Sequence, residues 1–156
     1  KKKKGIEEKS EFCISDAVSD CVQPYEVLAQ TREKNLTSDI EENLSYIGDE
    51  RSIRQMVGIL MDNAIKYSSE NGNITLKFKK NGKKILLEVY NDAENLPTGK
   101  LDVLFERFYR LDGSRNSATG GSGIGLSVAK AIVQAHKGKI TAENKNGKGL
   151  KITVIL

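Results

Sequence analysis

Between residues 49 and 68, apolar side chains fall at Ile53, Met56, Val57, Leu60, Ala64 and Ile65, three and four apart. That spacing gathers one face of an α-helix. Asp49 stands before the run as an N-cap, and Asn71-Gly72 ends it. The period then changes to two. Ile74, Leu76 and Phe78 alternate with polar neighbours, Asn81-Gly82 supplies a turn, and residues 85–90 return as a second strand, so residues 73–90 read as a β-hairpin. Upstream, residues 11–14 read as a short strand. Val18, Cys21, Val22, Tyr25 and Leu28 then recur at helical spacing, with Ser15 or Asp16 as N-cap and Pro24 expected to kink the helix or delay its start. Residues 36–40 alternate weakly, as a strand does, and a polar passage follows to Gly48. A third helix is predicted from near Gly123 through Leu126, Ala129, Ile132 and Val133 to His136, with Gly138 as its stop. Residues 140–143 and 150–156 close the chain as a hairpin around Asn146-Gly147. Between Asn91 and Ser122 lies a long polar stretch with Pro97 and several glycines, broken only by an aromatic patch at residues 105–109. A connection of that length is functional or disordered. The pattern predicts a two-layer α/β sandwich in which about three helices form one layer against one mixed, mostly antiparallel sheet.

Composition narrows the chemistry. The 156 residues suit one domain, and no apolar run approaches the roughly 18 to 20 residues of a membrane-spanning helix. No signal-peptide pattern opens the chain, and a reducing, cytoplasmic setting is expected. Cys13 and Cys21 stand without a CxxC pair, and His136 is the single histidine. Zinc sites built on several His and Cys ligands therefore have nothing to build on. Charge is uneven: residues 1–50 hold 7 Lys/Arg against 12 Asp/Glu, and residues 51–156 hold 18 against 9. A basic, glycine-bearing region points either to a phosphate-bearing partner, nucleic acid or nucleotide, or to a solvated lysine surface.

Three stretches carry candidate chemistry. Asn63, Lys66 and Tyr67 share a helix face at i, i+3 and i+4, where an amide, an ammonium and a phenol can hold a metal-bound phosphate and its nucleoside. A polar outer helix face would look the same. Residues 120–126, Gly-Gly-Ser-Gly-Ile-Gly-Leu, open a helix, and closely spaced glycines let backbone N–H groups approach an anion. The stretch lacks the Gly-Lys-Ser/Thr of a Walker loop and the preceding apolar strand of a dinucleotide fingerprint; the alternative is a glycine hinge. In the third, Phe105-Glu106-Arg107-Phe108-Tyr109-Arg110, followed by Arg115, aromatic anchors interleave with guanidinium groups, which suits a lid over phosphate or stacking on single-stranded nucleic acid.

In this order and spacing, these stretches resemble the catalytic ATP-binding domain of bacterial two-component sensor histidine kinases, within the superfamily shared with gyrase, the Hsp90 chaperones and MutL. Residues 55–68 resemble that family's N box, residues 91–97 its first glycine box, residues 105–110 its F box and residues 121–126 its second glycine box. The resemblance implies a Bergerat-type fold over residues 11–156 with a mobile ATP lid, residues 1–10 being a lead-in or the end of a preceding dimerisation helix. It implies ATP and Mg²⁺ as cofactors. Asn63 would be the Mg²⁺ ligand, Lys66 a phosphate contact and Tyr67 a neighbour of sugar and base. Asn91 takes the place of an Asp that accepts from the adenine amino group. Arg110 would approach the γ-phosphate with Arg107 nearby, and Gly121, Gly123, Gly125 and Leu126 would shape the lid's second hinge. Asn63, Lys66 and Arg110 would be the catalytic residues, because phosphoryl transfer needs chiefly positioning and charge neutralisation.

The implied activity is donation of the γ-phosphate to a histidine on a separate dimerisation domain of the same parent. A response regulator would act downstream, with no nucleic acid involved, and the membrane would be reached only through the rest of the parent. The domain itself would be cytoplasmic and monomeric. Two positions depart from the family pattern. Ile59 stands one turn before Asn63, where a polar residue is usual, and Asn91-Asp92-Ala93-Glu94-Asn95 replaces Asp-x-Gly-x-Gly, which removes the first glycine hinge. These departures leave open a degenerate nucleotide-binding module acting through protein contacts, and an anti-sigma-type serine kinase is a further alternative. His136, followed by Lys137-Gly138 at a helix end, reads as a cap or packing residue and not as a phosphoacceptor.

Overall fold

In a computed structural model that describes residues 9–107, 124–144 and 146–156, the chain runs through eight strands and three helices. The order is β1 (Ser10–Cys13), α1 (Ile14–Thr31), β2 (Asn35–Ile40), β3 (Ser45–Gly48), α2 (Glu50–Tyr67), β4 (Asn73–Asn81) and β5 (Lys84–Asp92). It continues with β6 (Gly99–Lys100), a 3-10 turn (Asp102–Phe105), α3 (Gly125–Ala135), β7 (Lys139–Asn144) and β8 (Gly149–Ile155). Six strands form a mixed sheet in the order β2-β4-β5-β8-β7-β6, parallel only between β2 and β4. The two parallel strands are joined through α2, because strands running the same way need a long crossover.

The alternating residues meet the helices on one side of this sheet. Ile74, Leu76 and Phe78 of β4, Ile85, Leu87 and Val89 of β5, and Leu150, Ile152 and Val154 of β8 are buried. Their cover comes from Ile14, Val18 and Val22 of α1, from Ile53, Met56, Val57, Leu60, Met61, Ala64 and Ile65 of α2, and from Ala129, Ile132 and Val133 of α3. The two-layer α/β sandwich expected from the pattern is the architecture observed.

Several local expectations are corrected. The polar passage before Gly48 contains β3, which pairs antiparallel with β1 as a separate two-stranded ribbon. Neither Ser15 nor Asp16 caps α1, which starts at Ile14 after Cys13. Ser15 is buried and its hydroxyl serves a neighbouring loop, donating to Glu41 O (2.6 Å) and accepting from Leu44 N (2.9 Å). Helix α1 runs through Pro24 to Thr31. Pro24 lies on the exposed side, where water can donate to the carbonyl one turn earlier that proline leaves without an N–H. The hairpin extends to Asp92, and α3 begins at Gly125. Part of the long polar stretch is ordered: β6 pairs with β7, and Leu104 and Phe105 of the 3-10 turn enter the core.

Asp49 does cap α2, its carboxylate accepting from Arg51 N (3.1 Å) and Ser52 N (3.4 Å). Just before it, Gly48 is pressed between rings. A methyl group there would sit 2.6 Å from Tyr46 Cε2 and 2.8 Å from His136 Cδ2. Gly48→Ala is expected to lower stability by about 1–3 kcal/mol through overpacking, read as an earlier midpoint in urea unfolding with an unchanged slope. An unmoved midpoint would show that the rings can part freely.

Candidate functional site

The helix face chosen from sequence lies at the C-terminal end of α2. Its apolar side is held by the core, which leaves Asn63 and Tyr67 half-buried and Lys66 exposed. Among the described residues no hydrogen bond or ion pair engages the Asn63 amide or the Lys66 ammonium. Both polar heads are therefore available to a ligand. Three contacts fix the helix beneath them. Tyr25 of α1 donates to Asp62 Oδ1 (2.8 Å), and burial first, then that bond and charge, push its phenol pKa well above the usual range. Lys34 donates to Ser68 O (2.8 Å) and Ser68 Oγ (2.7 Å), closing the helix end where carbonyls lack partners. Desolvation is the main cause of a lowered Lys34 pKa. At Ser69 the chain turns and donates to Asp92 O (2.9 Å), which joins the end of α2 to the end of β5.

At that junction sits Asn91. It continues the buried row Ile85, Leu87, Val89 on the helix-facing side of β5 and is 2% exposed. Its Nδ2 donates to Asp92 O (3.1 Å), which fixes the amide orientation because a carbonyl can only accept. Among the described residues no donor reaches Asn91 Oδ1. A buried acceptor without a partner is costly in a finished core and is suited to a ligand's N–H. Asp92 is occupied otherwise: it accepts from Tyr90 Oη (2.9 Å) and Asn73 N (2.9 Å), and burial followed by this bond and charge raises the Tyr90 pKa to about 12.

The segment after β5 is pinned on both sides. Ala93 N donates to Lys148 O (2.9 Å), and Asn144 Nδ2 donates to Leu96 O (2.9 Å). Where the sequence lacks the glycines of the first glycine box, Asn95 has φ 59°, a left-handed turn made with asparagine, whose short polar side chain tolerates that region. Asn144 was not anticipated. It is fully buried, and its Oδ1 also accepts from Gly147 N (2.8 Å). The signal for it was an asparagine in register with Ile140 and Ala142 on the core face of a strand. Farther on, Leu101 N donates to Ala142 O (2.8 Å) and Ala142 N donates to Asp102 Oδ1 (3.0 Å), which docks the 3-10 turn on β7.

Gly125 and Leu126 begin α3 beside α2. A methyl at Gly125 would lie 3.6 Å from Ile59 Cγ2, so Ile59, one turn before Asn63, is a packing residue under the start of α3. Leu126 is half-buried against the core, and Arg107 is exposed after the 3-10 turn. Arg110, Arg115, Gly121 and Gly123 lie outside the described residues. The structure thus brings Asn63, Lys66, Tyr67 and Asn91 to the joined ends of α2 and β5, with Gly125 of α3 next to Ile59 of α2. Among the described residues no group of three His, Cys, Asp or Glu could hold a metal. Of the residues assigned to Mg²⁺ from sequence, the chain offers the Asn63 amide, which matches the habit of Mg²⁺ to take few protein ligands and complete its shell with phosphate and water.

Comparison with known proteins gives the context. Residues 48–156 match the model of the histidine kinase-, DNA gyrase B-, and HSP90-like ATPases. The sensor histidine kinase RppB of Synechocystis is 31% identical over 145 residues, 92% of this chain and 32% of the relative. WalK of Bacillus subtilis, also a sensor histidine kinase, is 41% identical over 110 residues, 69% of this chain and 18% of the relative. The chain therefore spans about a third or less of these relatives. Among solved structures, the catalytic domain of histidine kinase ThkA superposes with a TM-score of 0.80 at 22% identity, covering 96% of this chain and 95% of that one. Full-length ShkA in complex with AMPPNP superposes at 0.79 with 19% identity, covering 97% of this chain and 31% of that one. The four sequence boxes, the sandwich and the match over residues 48–156 agree, and the chain belongs to the histidine kinase-, DNA gyrase B-, and HSP90-like ATPase family.

Proposed function

We propose that this domain binds Mg·ATP and donates the γ-phosphate to a histidine on a separate dimerisation domain of a longer sensor kinase. A response regulator would receive the phosphoryl group, and the parent would be anchored in the membrane with this domain on the cytoplasmic side. The observation that carries the reading is the Asn91 amide, buried at the end of β5 with Oδ1 lacking a donor among the described residues. An exocyclic amino group such as that of adenine fits it. Guanine presents a carbonyl at the corresponding position, and the amide is discouraged from flipping to meet it because Nδ2 is engaged by Asp92 O.

The remaining roles follow from charge and position. Asn63 supplies an amide oxygen toward Mg²⁺, Lys66 a cation toward phosphate, and Tyr67 a half-buried ring edge for the nucleoside. Arg110 and the glycines at 121 and 123 are proposed for the γ-phosphate and lid from the sequence resemblance alone. The bound nucleotide supplies the transferable phosphoryl group. The acceptor must come from elsewhere, since both ring nitrogens of the single histidine are engaged within the fold: Nδ1 with Ile132 O (2.8 Å) and Nε2 with Asp49 N (3.1 Å).

Calorimetry with Mg²⁺ and a nonhydrolysable ATP analogue should show binding that Asn63→Ala abolishes; heat that survives this change would remove Asn63 from the site. ATP should bind at least ~10-fold more tightly than GTP, a difference of about 1.4 kcal/mol. Asn91→Leu should erase that preference, and equal affinities in the unmodified protein would refute the role given to Asn91. With labelled ATP and a cognate dimerisation fragment in trans, acid-labile label on the fragment's histidine is expected.

A further inference from the structure

His136 lies at the C-terminal end of α3, far along the chain from the glycines at the helix start, yet it is built into the fold with unusual definition. The residue is 9% exposed. Asp49 N–H can only donate, so Nε2 must be the unprotonated nitrogen that accepts it at 3.1 Å. The proton is then on Nδ1, where it is donated to Ile132 O at 2.8 Å. One bond stays within α3; the other crosses to the cap of α2. The ring also packs against Tyr46 of β3, with centroids 5.9 Å apart, and Gly48 leaves room for it.

This cross-helix bond stands at one end of the contact between α2 and α3, and Ile59 under Gly125 stands at the other, with Ala129, Ile132 and Val133 of α3 buried in the shared core between them. Asp49 and Ile59 are ten residues apart, about 15 Å along a helix, and His136 and Gly125 are eleven apart, about 16 Å. The two helices are therefore antiparallel, with near-equal lengths between these two end contacts. A slip of α3 at the His136 end carries Gly125 along α2, past Ile59 and toward or away from Asn63.

We infer that His136 is a positioning residue for the nucleotide site: through Nε2 and Asp49 N it sets the register of α3 on α2, and so the place of Gly125 relative to Asn63. The inference rests on the ATP-binding reading above. Two variants separate its two bonds. In His136→Gln the longer side chain can still present an acceptor to Asp49 N, while in His136→Asn the shorter one can still donate to Ile132 O but does not reach Asp49.

The test measures Mg·ATP affinity by calorimetry, the melting midpoint without nucleotide, and the backbone amide spectra of Ile59 and Gly125 in the nucleotide-free protein. The expected result is that Gln binds within about twofold of the unmodified protein, that Asn and Ala bind about 5–10-fold more weakly, and that the Ile59 and Gly125 amides shift in Asn and Ala but not in Gln. A merely structural histidine would lower the midpoint in all three variants and leave affinity and the distant amides alone; that pattern, or equal weakening in Gln and Asn, overturns the inference. If the unmodified protein does not bind Mg·ATP, it is the ATP-binding reading that fails, and the amide shifts still decide whether His136 sets the register. Should Asn and Ala fail to fold, His136→Met, about as long as Gln but without its amide acceptor, takes their place: Ile59 and Gly125 amides shifted in Met and unshifted in Gln uphold the inference, and amides alike in both overturn it.

Discussion

The seating of α2 on the sheet is the constraint on which the rest of the structure depends. Seven of its side chains, from Ile53 to Ile65, are buried, and this fixes which way the remaining positions look. Burying a large apolar side chain contributes about 1.5–3 kcal/mol, so rotating the helix by one position would expose several at once. The polar contacts around it then act as end stops. Asp49 closes its start, Lys34 closes its finish at Ser68, and Tyr25 braces the exposed side at Asp62. Asn63 and Lys66 need no network of their own to be held in place.

Much of this was legible in the sequence because it is periodic. The face of α2, the hairpin and the last two strands follow from spacing alone, and Asn63, Lys66 and Tyr67 fall together because i, i+3 and i+4 do so on any helix. What escaped was nonlocal. Strand β3 is four residues long, and only its pairing with β1 defines it. Ser15 is a favourable cap by type, yet it faces Leu44 and Glu41, twenty-nine and twenty-six residues away, and no local rule reports that. Lys34, Asn144 and Asp102 belong to the same class of polar residues whose partners are distant in the chain.

The first glycine box shows a different limit. Reading hinges by counting glycines misses a chain that makes left-handed turns with asparagine. Asn43, Asn71 and Asn95 all have positive φ, at 66°, 58° and 59°. At these three positions asparagine holds a backbone conformation that glycine adopts most readily, while its side chain adds hydrogen-bonding groups that glycine lacks. Ile59 is a different case: an apolar side chain stands one turn before Asn63 and packs under the start of α3.

The docking of the 3-10 turn on β7 has a consequence for how this protein behaves among its own copies. Strand β6 shields only two residues of β7, which would leave an open strand edge beyond it. There Leu101 N takes the carbonyl of Ala142 and the Asp102 carboxylate takes its N–H. An incoming strand from another molecule would have to displace both and desolvate a carboxylate while doing so. The strand edge is thereby covered at Ala142, a guard against edge-to-edge pairing there that rests on one acidic side chain and one backbone amide.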